Sequence, residues 1–289
     1  MQDFRVGYLY SLAPIHCGGE GDLGNISEIA REVHTNFPYI PGSSLRGSLR
    51  NEVVEYQGKE TADRLFGQEL TDGKMGVHQI WFGDARLLWV PMRTMSAKGK
   101  DVFTWVSCPT LLRDCALINR RDFSGFSDLN CAVGSRDDTC YIVADAKIKV
   151  EVMNSDQIKS IAMDDNWFIS LKTDTKSHWE DNRIILPDND FQVLMEHALW
   201  TQVRNIISDE GGAKMFWTDV CIPRDTIFYY PWGYSIPKNE PIISSDHDVM
   251  TEILTGLIQV GGQANVGRGW VQSWISNDKS PLTKTEAKV

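Results

Sequence analysis

Apolar and polar residues follow two different periods along the 289-residue chain. Segments that alternate and are rich in aromatic and β-branched residues are typical of strands, whereas apolar residues spaced three or four apart are typical of helices. We predict strands at 3–12, 77–90, 101–107, 139–153, 167–173, 215–223, 225–236 and 270–275, and helices at 43–58, 61–67, 110–120, 191–207 and 247–260. The mixture predicts an α+β fold, and no glycine-rich nucleotide-binding motif follows a predicted strand.

The helix predicted at 43–58 has an unusual start. Ser43 and Ser44 can each cap it, and a helix N-terminus preceded by glycine is a natural anion site. Arg46 and Arg50 are four residues apart and therefore share one helix face. That face is either a solvated surface or a surface that contacts phosphate.

A glycine-rich segment, GGQANVGRGW, occupies residues 261–270. Glycine allows a backbone to approach a ligand closely, and exposed N–H groups beside Arg268 could bind phosphate oxygens. The alternative is a helix C-cap followed by a tight turn. Four glycines with one arginine favour the binding interpretation.

Two other segments could carry chemistry. Residues 203–223 predict a hairpin with Met215 and Phe216 just past its tip, which either wedge between bases or pack on the protein. A long loop, from Ala13 to about Pro41, is rich in residues that could serve acid–base catalysis or a metal, although the sequence favours a solvated loop. These loop residues are His16, Glu20, Asp22, Glu28, Arg31, Glu32 and His34.

The global composition limits the possible functions. Net charge is −10, which argues against a protein that coats nucleic acid through bulk positive charge. No signal peptide and no apolar stretch of ~18 residues is found, so we expect a cytoplasmic protein without a membrane partner. The six cysteines lack zinc spacing, and we expect reduced thiols and no structural metal.

Three blocks stand out in order along the chain: YIPGSSLRGSLR, FGDARLLWVPMRT followed by WVSCPTLLRD, and VGGQANVGRGW. Together they resemble the RAMP superfamily of CRISPR systems, most closely the backbone subunit of the type III-B (Cmr) effector complex. The resemblance runs from Val6 to Trp270 and is weakest across 121–190. It implies a single domain over residues 1–289, with a ferredoxin-like, RRM-related palm. It also implies an inserted thumb hairpin at about 203–223 and a variable insertion of helices and loops at about 121–190.

The resemblance also implies partners and site residues. The partners are a guide crRNA, complementary target RNA, further copies of the chain in a helical filament, and other subunits of a type III complex. Ser43, Ser44, Arg46 and Arg50 would line the guide backbone, and Met215 and Phe216 would form the thumb wedge. The family's glycine-rich loop corresponds to Gly261, Gly262, Gln263, Asn265, Gly267 and Arg268, and RNA-binding roles are implied for His16 and Arg204 as well. Such contacts would follow phosphate and shape rather than base sequence.

Catalysis is where the chain departs from the family. The early loop of the family reads L-G-x-x-D-x-P-I-x-R-E, and its Asp supports metal-dependent cleavage of target RNA. Aligning Leu23-Gly24 puts Ser27 at the Asp position, and aligning Arg31-Glu32 puts Ile26 there. Neither side chain can replace a carboxylate on a metal or a 2′-hydroxyl. We therefore expect RNA binding that needs no cofactor, with cleavage weak or lost.

Three alternatives remain at this level. Glu28 or Asp22 could substitute for the missing Asp in an active endoribonuclease that uses Mg²⁺ or Mn²⁺. A stand-alone RAMP protein that processes guide precursors would need a local base such as His16 or His34. An acidic α+β interaction domain would bind no RNA at all.

Overall fold

The computed structural model describes residues 3–18, 26–68, 78–96, 102–126, 129–136, 140–161, 173–207, 213–235 and 244–276. The strands in these ranges are β1 (Arg5–Ser11), β2 (Ile26–Ser27), β3 (Tyr39–Ile40), β4 (Ile80–Phe82), β5 (Ala85–Ser96), β6 (Phe103–Ser107), β7 (Ala132–Gly134), β8 (Cys140–Val143), β9 (Ala146–Val152), β10 (Arg183–Ile185), β11 (Trp200–Ile207), β12 (Ala213–Cys221), β13 (Ile227–Tyr234), β14 (Leu257–Gln259) and β15 (Trp270–Ile275). The helices are α1 (Gly42–Gln57), α2 (Lys59–Phe66), α3 (Pro109–Ile118), α4 (Ser155–Ser160), α5 (Thr173–Asp181), α6 (Asp188–Ala198) and α7 (Ser244–Leu254). The mixed α/β architecture agrees with the predicted class.

One large sheet joins strands from both ends of the chain. Its order begins β14-β15-β1-β13-β5, and each of these neighbours is antiparallel. Strand β1 is the central one of these five strands, and its side chains are therefore buried on both faces of the sheet. Leu9 belongs to the core beneath α1 and α7, whereas Tyr8 and Tyr10 pack into a second core with Trp89 and Trp105.

The remaining strands of the sheet close on themselves. The order continues β5-β6-β10-β7-β9-β8, and β8 pairs back with the C-terminal end of β5. Strand β5 can take part in both halves because it is 12 residues long. Four strands of this closed part, β7, β8, β9 and β10, come from the region 121–190.

A separate three-stranded sheet forms the predicted hairpin. Strands β11 and β12 are antiparallel, and the short strand β2 of the early loop runs parallel to β12. The observed hairpin starts at Trp200 and ends at Cys221, so it begins three residues before the predicted boundary.

Several predicted element boundaries were wrong. The helix predicted at 191–207 ends at Ala198, because the chain enters β11 at Trp200 and pairs there with β12. The helix predicted at 247–260 ends at Leu254, and the remaining residues form β14 against β15. Strand β7 lies in a part of the region 121–190 where no strand was predicted, and it pairs with both β9 and β10. Most of the strand predicted at 167–173 lies outside the described residues; its last residue, Thr173, begins α5.

The predicted serine cap of α1 was also wrong. The helix starts at Gly42 after Pro41, and neither Ser43 nor Ser44 caps it. Instead, the Gly42 N–H donates to Asp84 Oδ1 at 2.7 Å. A Cβ on Gly42 would lie 2.9 Å from the Phe82 carbonyl oxygen. Two of the sequence blocks, PGSS and FGDAR, therefore pack against each other. Within the described ranges no helix is long and apolar enough to cross a bilayer.

Candidate nucleic-acid interface

Three segments that are far apart in the sequence meet at the base of the hairpin. The early loop bridges to the end of the hairpin through Ile15 and Ile222. It also binds the glycine-rich loop, because the Gly262 N–H donates to the His16 carbonyl at 2.8 Å and the Gly269 N–H to the Pro14 carbonyl at 2.9 Å. These backbone bonds fix the glycine-rich loop against the early loop independently of any side chain.

Asp219 is the centre of this junction. Its side chain is 1% exposed and accepts hydrogen bonds from Arg268 Nη1 at 3.0 Å, from Arg204 Nη1 at 3.3 Å and from Gln263 Nε2 at 3.2 Å. Gln202, which faces Asp219 across the hairpin, accepts from Arg268 Nη2 at 2.6 Å. We call these five residues, Asp219, Arg204, Arg268, Gln202 and Gln263, the Asp219 cluster.

Two opposing effects act on the Asp219 carboxylate. Burial alone would raise its pKa, because the charged form loses water. The hydrogen bonds from Arg204 and Gln263 and the charge of Arg268 outweigh this effect and hold the pKa of Asp219 below its ordinary value. The carboxylate is therefore ionised at neutral pH, and it neutralises one of its two guanidinium partners.

Arg268 has an internal position that differs from the sequence expectation. Its side chain is 4% exposed, and it donates to Asp219, Gln202 and the Gln263 side-chain oxygen. Its guanidinium also lies 5.7 Å from the ring centroid of Trp200. A fork of donors that is committed in this way holds the loop in shape and is not directed at a phosphate.

Arg204 is the outward-facing arginine of the cluster. Its side chain is 31% exposed, and its guanidinium lies 5.2 Å from the ring centroid of Trp217, its cross-strand neighbour. One Nη atom binds Asp219. Held by the aromatic ring and the carboxylate, the guanidinium keeps a fixed direction at the surface of the hairpin.

The glycine-rich loop needs its glycines to different degrees. Gly261, Gly267 and the non-glycine Gln263 all have left-handed φ values, of 82°, 78° and 64°. A Cβ on Gly261 would lie 2.5 Å from the His16 carbonyl oxygen, whereas a Cβ on Gly267 or Gly262 would meet no atom closer than 3.7 Å. Gly261 therefore packs against the early loop, while Gly262, Asn265 and Gly267 line the open side.

His16 is held in one tautomer beside the cluster. Its Nδ1 lies 2.8 Å from the Val220 carbonyl, which can only accept, so Nδ1 carries the proton. In the neutral ring Nε2 then accepts from Ser27 Oγ at 3.2 Å. Since His16 is 6% exposed, it is a buried neighbour of the interface rather than an open contact.

The structure separates the two candidates for the family's Asp position. Ser27 pairs with Asp219 in the β2–β12 register and contacts His16, whereas Ile26 pairs with Thr218, points to the opposite face and is 38% exposed. Ser27 is thus the residue that faces the cluster. Its hydroxyl offers no carboxylate to a metal ion.

The substitute carboxylates find little support in the described residues. Glu28 lies 4.0 Å from Arg31, which also binds Glu196 of α6 at 2.6 Å, so its described partner is an arginine. Asp22 lies outside the described residues. Within the described ranges no three His, Cys, Asp or Glu side chains gather as metal ligands, so the described side chains around Ser27 do not form a Mg²⁺ or Mn²⁺ site.

Met215 and Phe216 lie on opposite faces of the hairpin. They are neighbours on β12, where successive side chains alternate, and they are 56% and 53% exposed. Met215 shares the face of Arg204 and Asp219, whereas Phe216 shares the other face with Val203. Only one of the two can therefore wedge against a ligand on a given face.

The arginines of α1 form a different contact from the expected one. Arg46 donates to the Phe66 carbonyl and lies 5.6 Å from its ring centroid, and Arg50 pairs with Asp63. Partial burial and then the neighbouring Arg50 charge lower the pKa of Arg46. Ser43 is exposed and Ser44 is half-buried. In the described ranges no hydrogen bond or ion pair joins these four residues to the Asp219 cluster.

Sequence reasoning missed the residues that organise the interface. Asp219, Gln202 and Trp200 carry no local motif, because their shared partner Arg268 lies in the glycine-rich loop. The alternation of the hairpin strands was the available signal, because it places Gln202, Arg204 and Asp219 on one face once the hairpin register is known.

Comparisons with known proteins identify the family of the chain. A family model described as the RAMP superfamily matches residues 8–272. The CRISPR system Cmr endoribonuclease Cmr4 of Pyrococcus furiosus is 27% identical over 291 residues, covering 94% of this chain and 95% of the relative.

Solved structures share the fold. A chain of the cryo-EM structure of type III-B Cmr-beta in the apo state has a TM-score of 0.73 at 17% identity, covering 96% of this chain and 98% of that one. The crystal structure of oligomeric Cmr4 from Pyrococcus furiosus has a TM-score of 0.67 at 24% identity, covering 96% and 99%. A chain of Cmr-beta bound to cognate target RNA has a TM-score of 0.72 at 15% identity, covering 94% and 96%. With a family model that spans most of its length, the chain belongs to the RAMP superfamily.

Proposed function

We propose that the chain is the backbone subunit of a type III-B CRISPR effector complex. In this role it binds guide crRNA along a helical filament and holds complementary target RNA. The observation that carries the proposal is the meeting of the hairpin base, the glycine-rich loop and the early loop around the Asp219 cluster. These are the segments for which the family resemblance implies RNA contact, and they present Arg204 and an open glycine-rich backbone on one side.

The strand order supports a ferredoxin-like palm. Strands β1, β5, β13 and β15, with α1 after the first and α7 before the last, follow the β-α-β-β-α-β sequence of that fold. Their spatial order is β15-β1-β13-β5. On this proposal residues 1–289 form one domain, in which β11–β12 is the thumb and the region 121–190 is a variable insertion.

The proposed partners follow from the relatives. One solved relative is described as oligomeric and another as bound to cognate target RNA. For this chain we propose a filament of identical copies that follows the guide, together with other subunits of a type III complex. Contacts to phosphate and shape suit a subunit that must accept any guide sequence.

We further propose that cleavage of target RNA is weak or lost. Ser27 stands where its side chain faces His16 and Asp219, and it supplies no carboxylate. An active endoribonuclease that uses Mg²⁺ or Mn²⁺ is the second candidate. The 27% identity to a Cmr endoribonuclease favours this candidate. Its activity would depend on Glu28 or on Asp22.

A cleavage assay separates these two candidates. The assembled complex is given end-labelled complementary RNA with Mg²⁺ or Mn²⁺, beside matched complexes that carry Glu28→Ala or Asp22→Ala. We expect intact RNA over the time in which an active complex cleaves. Fragments at regular spacing that disappear in either variant would establish the endoribonuclease instead.

A further inference from the structure

We propose that Asp219 is a positioning residue for RNA binding, which holds Arg204 toward the RNA backbone and ties it to the glycine-rich loop. The inference rests on the proposed function and adds to it a residue that acts through another one. Asp219 places a negative charge in the middle of a surface that we assign to a polyanion, which is an apparent contradiction.

The charge balance of the cluster resolves the contradiction. Two guanidinium groups share one carboxylate oxygen, Asp219 Oδ2, at 3.0 Å from Arg268 and 3.3 Å from Arg204. Arg268 and Asp219 are both buried, so their charges compensate each other inside the protein. The remaining positive charge resides on Arg204, the one member of the pair that reaches the surface.

The geometry links this charge to the rest of the interface. Asp219 Oδ1 accepts from Gln263, whose left-handed backbone begins the exposed part of the glycine-rich loop. One carboxylate therefore fixes both the hairpin arginine and the loop. Without it, Arg204 retains its stacking on Trp217 but loses the bond that sets its direction.

A positioning role and a purely electrostatic role for Asp219 predict opposite changes in RNA affinity when Asp219 is replaced by Asn. Asp219→Asn removes a negative charge from the RNA-binding face, so Coulomb attraction alone predicts tighter binding of RNA. Positioning predicts weaker binding, by about tenfold, which is the loss expected for one charge-assisted hydrogen bond.

Another ion pair in the chain provides a closely matched control. Asp246 is 2% exposed and pairs with Arg64, which is 30% exposed, compared with 1% and 31% for Asp219 and Arg204. Asp246→Asn thus removes an equally buried carboxylate from an equally exposed arginine, outside the proposed interface. Its RNA affinity should equal or slightly exceed that of the wild type.

The experiment measures the affinity of the full-length chain for a labelled single-stranded RNA of mixed sequence, together with a thermal melt of each variant. We compare the wild type, Asp219→Asn, Arg204→Gln, the double variant of both, and Asp246→Asn. If Asp219 acts through Arg204, Asp219→Asn changes the affinity less than about twofold once Arg204 is already Gln.

A second variant tests the inference if Asp219→Asn does not fold. If Asp219→Asn alone unfolds the chain, Asp219→Asn combined with Arg268→Gln removes both buried charges and relieves the unpaired guanidinium. This pair should regain stability while its RNA affinity stays low.

Equal or tighter binding by Asp219→Asn, or losses that simply add in the double variant, would overturn the inference. Wild-type RNA affinity in the variant that combines Asp219→Asn with Arg268→Gln would overturn the inference as well. If the wild type itself binds no RNA, it is the proposed function that fails, and this is seen before any variant is compared.

Discussion

Gly261 and Gly267 have nearly the same left-handed φ but different surroundings. The Cβ position of Gly261 is blocked by the His16 carbonyl, whereas that of Gly267 faces open space. A Cβ on Gly262 would make only ordinary van der Waals contact with His16, and Gly262 has no left-handed φ. A single loop thus contains a glycine needed for packing, a glycine needed for conformation, and a glycine needed for neither. This distinction is invisible in the repeated letters of the sequence.

Alanine substitutions at these three glycines should lower the free energy of unfolding to different extents, in the order Gly261, Gly267, Gly262. Gly261→Ala should lower the free energy of unfolding by about 3 kcal/mol, because overpacking adds to left-handed strain. Gly267→Ala should cost about 1 kcal/mol from strain alone. Gly262→Ala should stay within about 0.5 kcal/mol of the wild type. Denaturant unfolding of the three full-length variants measures the order, and equal losses at Gly261 and Gly262 would contradict it.

Other single residues explain why sequence reasoning reached only part of the site. The glycine-rich loop was identified because it has a local signal, and Arg204 was implied by the family resemblance. Asp219 has no such signal, because its partners Gln263 and Arg268 lie 44 and 49 residues away. The cap of α1 was missed for the same reason, since Asp84 comes from a different segment. Local patterns identify residue types, whereas tertiary contacts decide which charges pair with each other.

The β11–β12 hairpin is the element in which the predicted and the observed secondary structure differ most informatively. The amphipathic pattern of α6 continues by chance into the first residues of β11, and this extended the predicted helix. The hairpin itself was identified from a Gly-Gly turn between two strand-like segments. Its two faces became distinct only with the register, which puts Met215 beside the Asp219 cluster and Phe216 on the other side.

Because Met215 and Phe216 lie on opposite faces of the hairpin, their roles as an RNA wedge can be tested separately. Met215→Ala and Phe216→Ala should both leave the melting temperature nearly unchanged, because both side chains are more than half exposed. Only one of them should weaken the binding of guide–target RNA, by about tenfold, the scale of one lost stacking contact. Fluorescence anisotropy with a labelled duplex measures both. Equal losses from the two variants would show that the hairpin does not present a single face.

At the scale of the whole molecule, acidity and RNA binding are compatible. The chain carries a net charge of −10, yet its buried carboxylate at the interface is matched by two arginines, and one of them faces outward. Charges beyond ~8–10 Å are screened at physiological salt, so a narrow positive track is enough to follow a phosphate backbone. The acidic remainder opposes nonspecific coating of RNA. The overall fold class was predictable from periodicity, whereas the closure of β8 onto β5 depends on long-range pairing that no local pattern encodes.

The most direct test of the central claim is the number of chains that bind one RNA as the RNA is lengthened. Mass photometry of the purified chain with guide RNAs of increasing length measures it at fixed salt. A backbone subunit predicts a stepwise increase, with each step equal to one 32.7 kDa chain and a constant length of RNA per step. A mass that stays at one chain for every RNA length, or no binding at any length, would contradict the account.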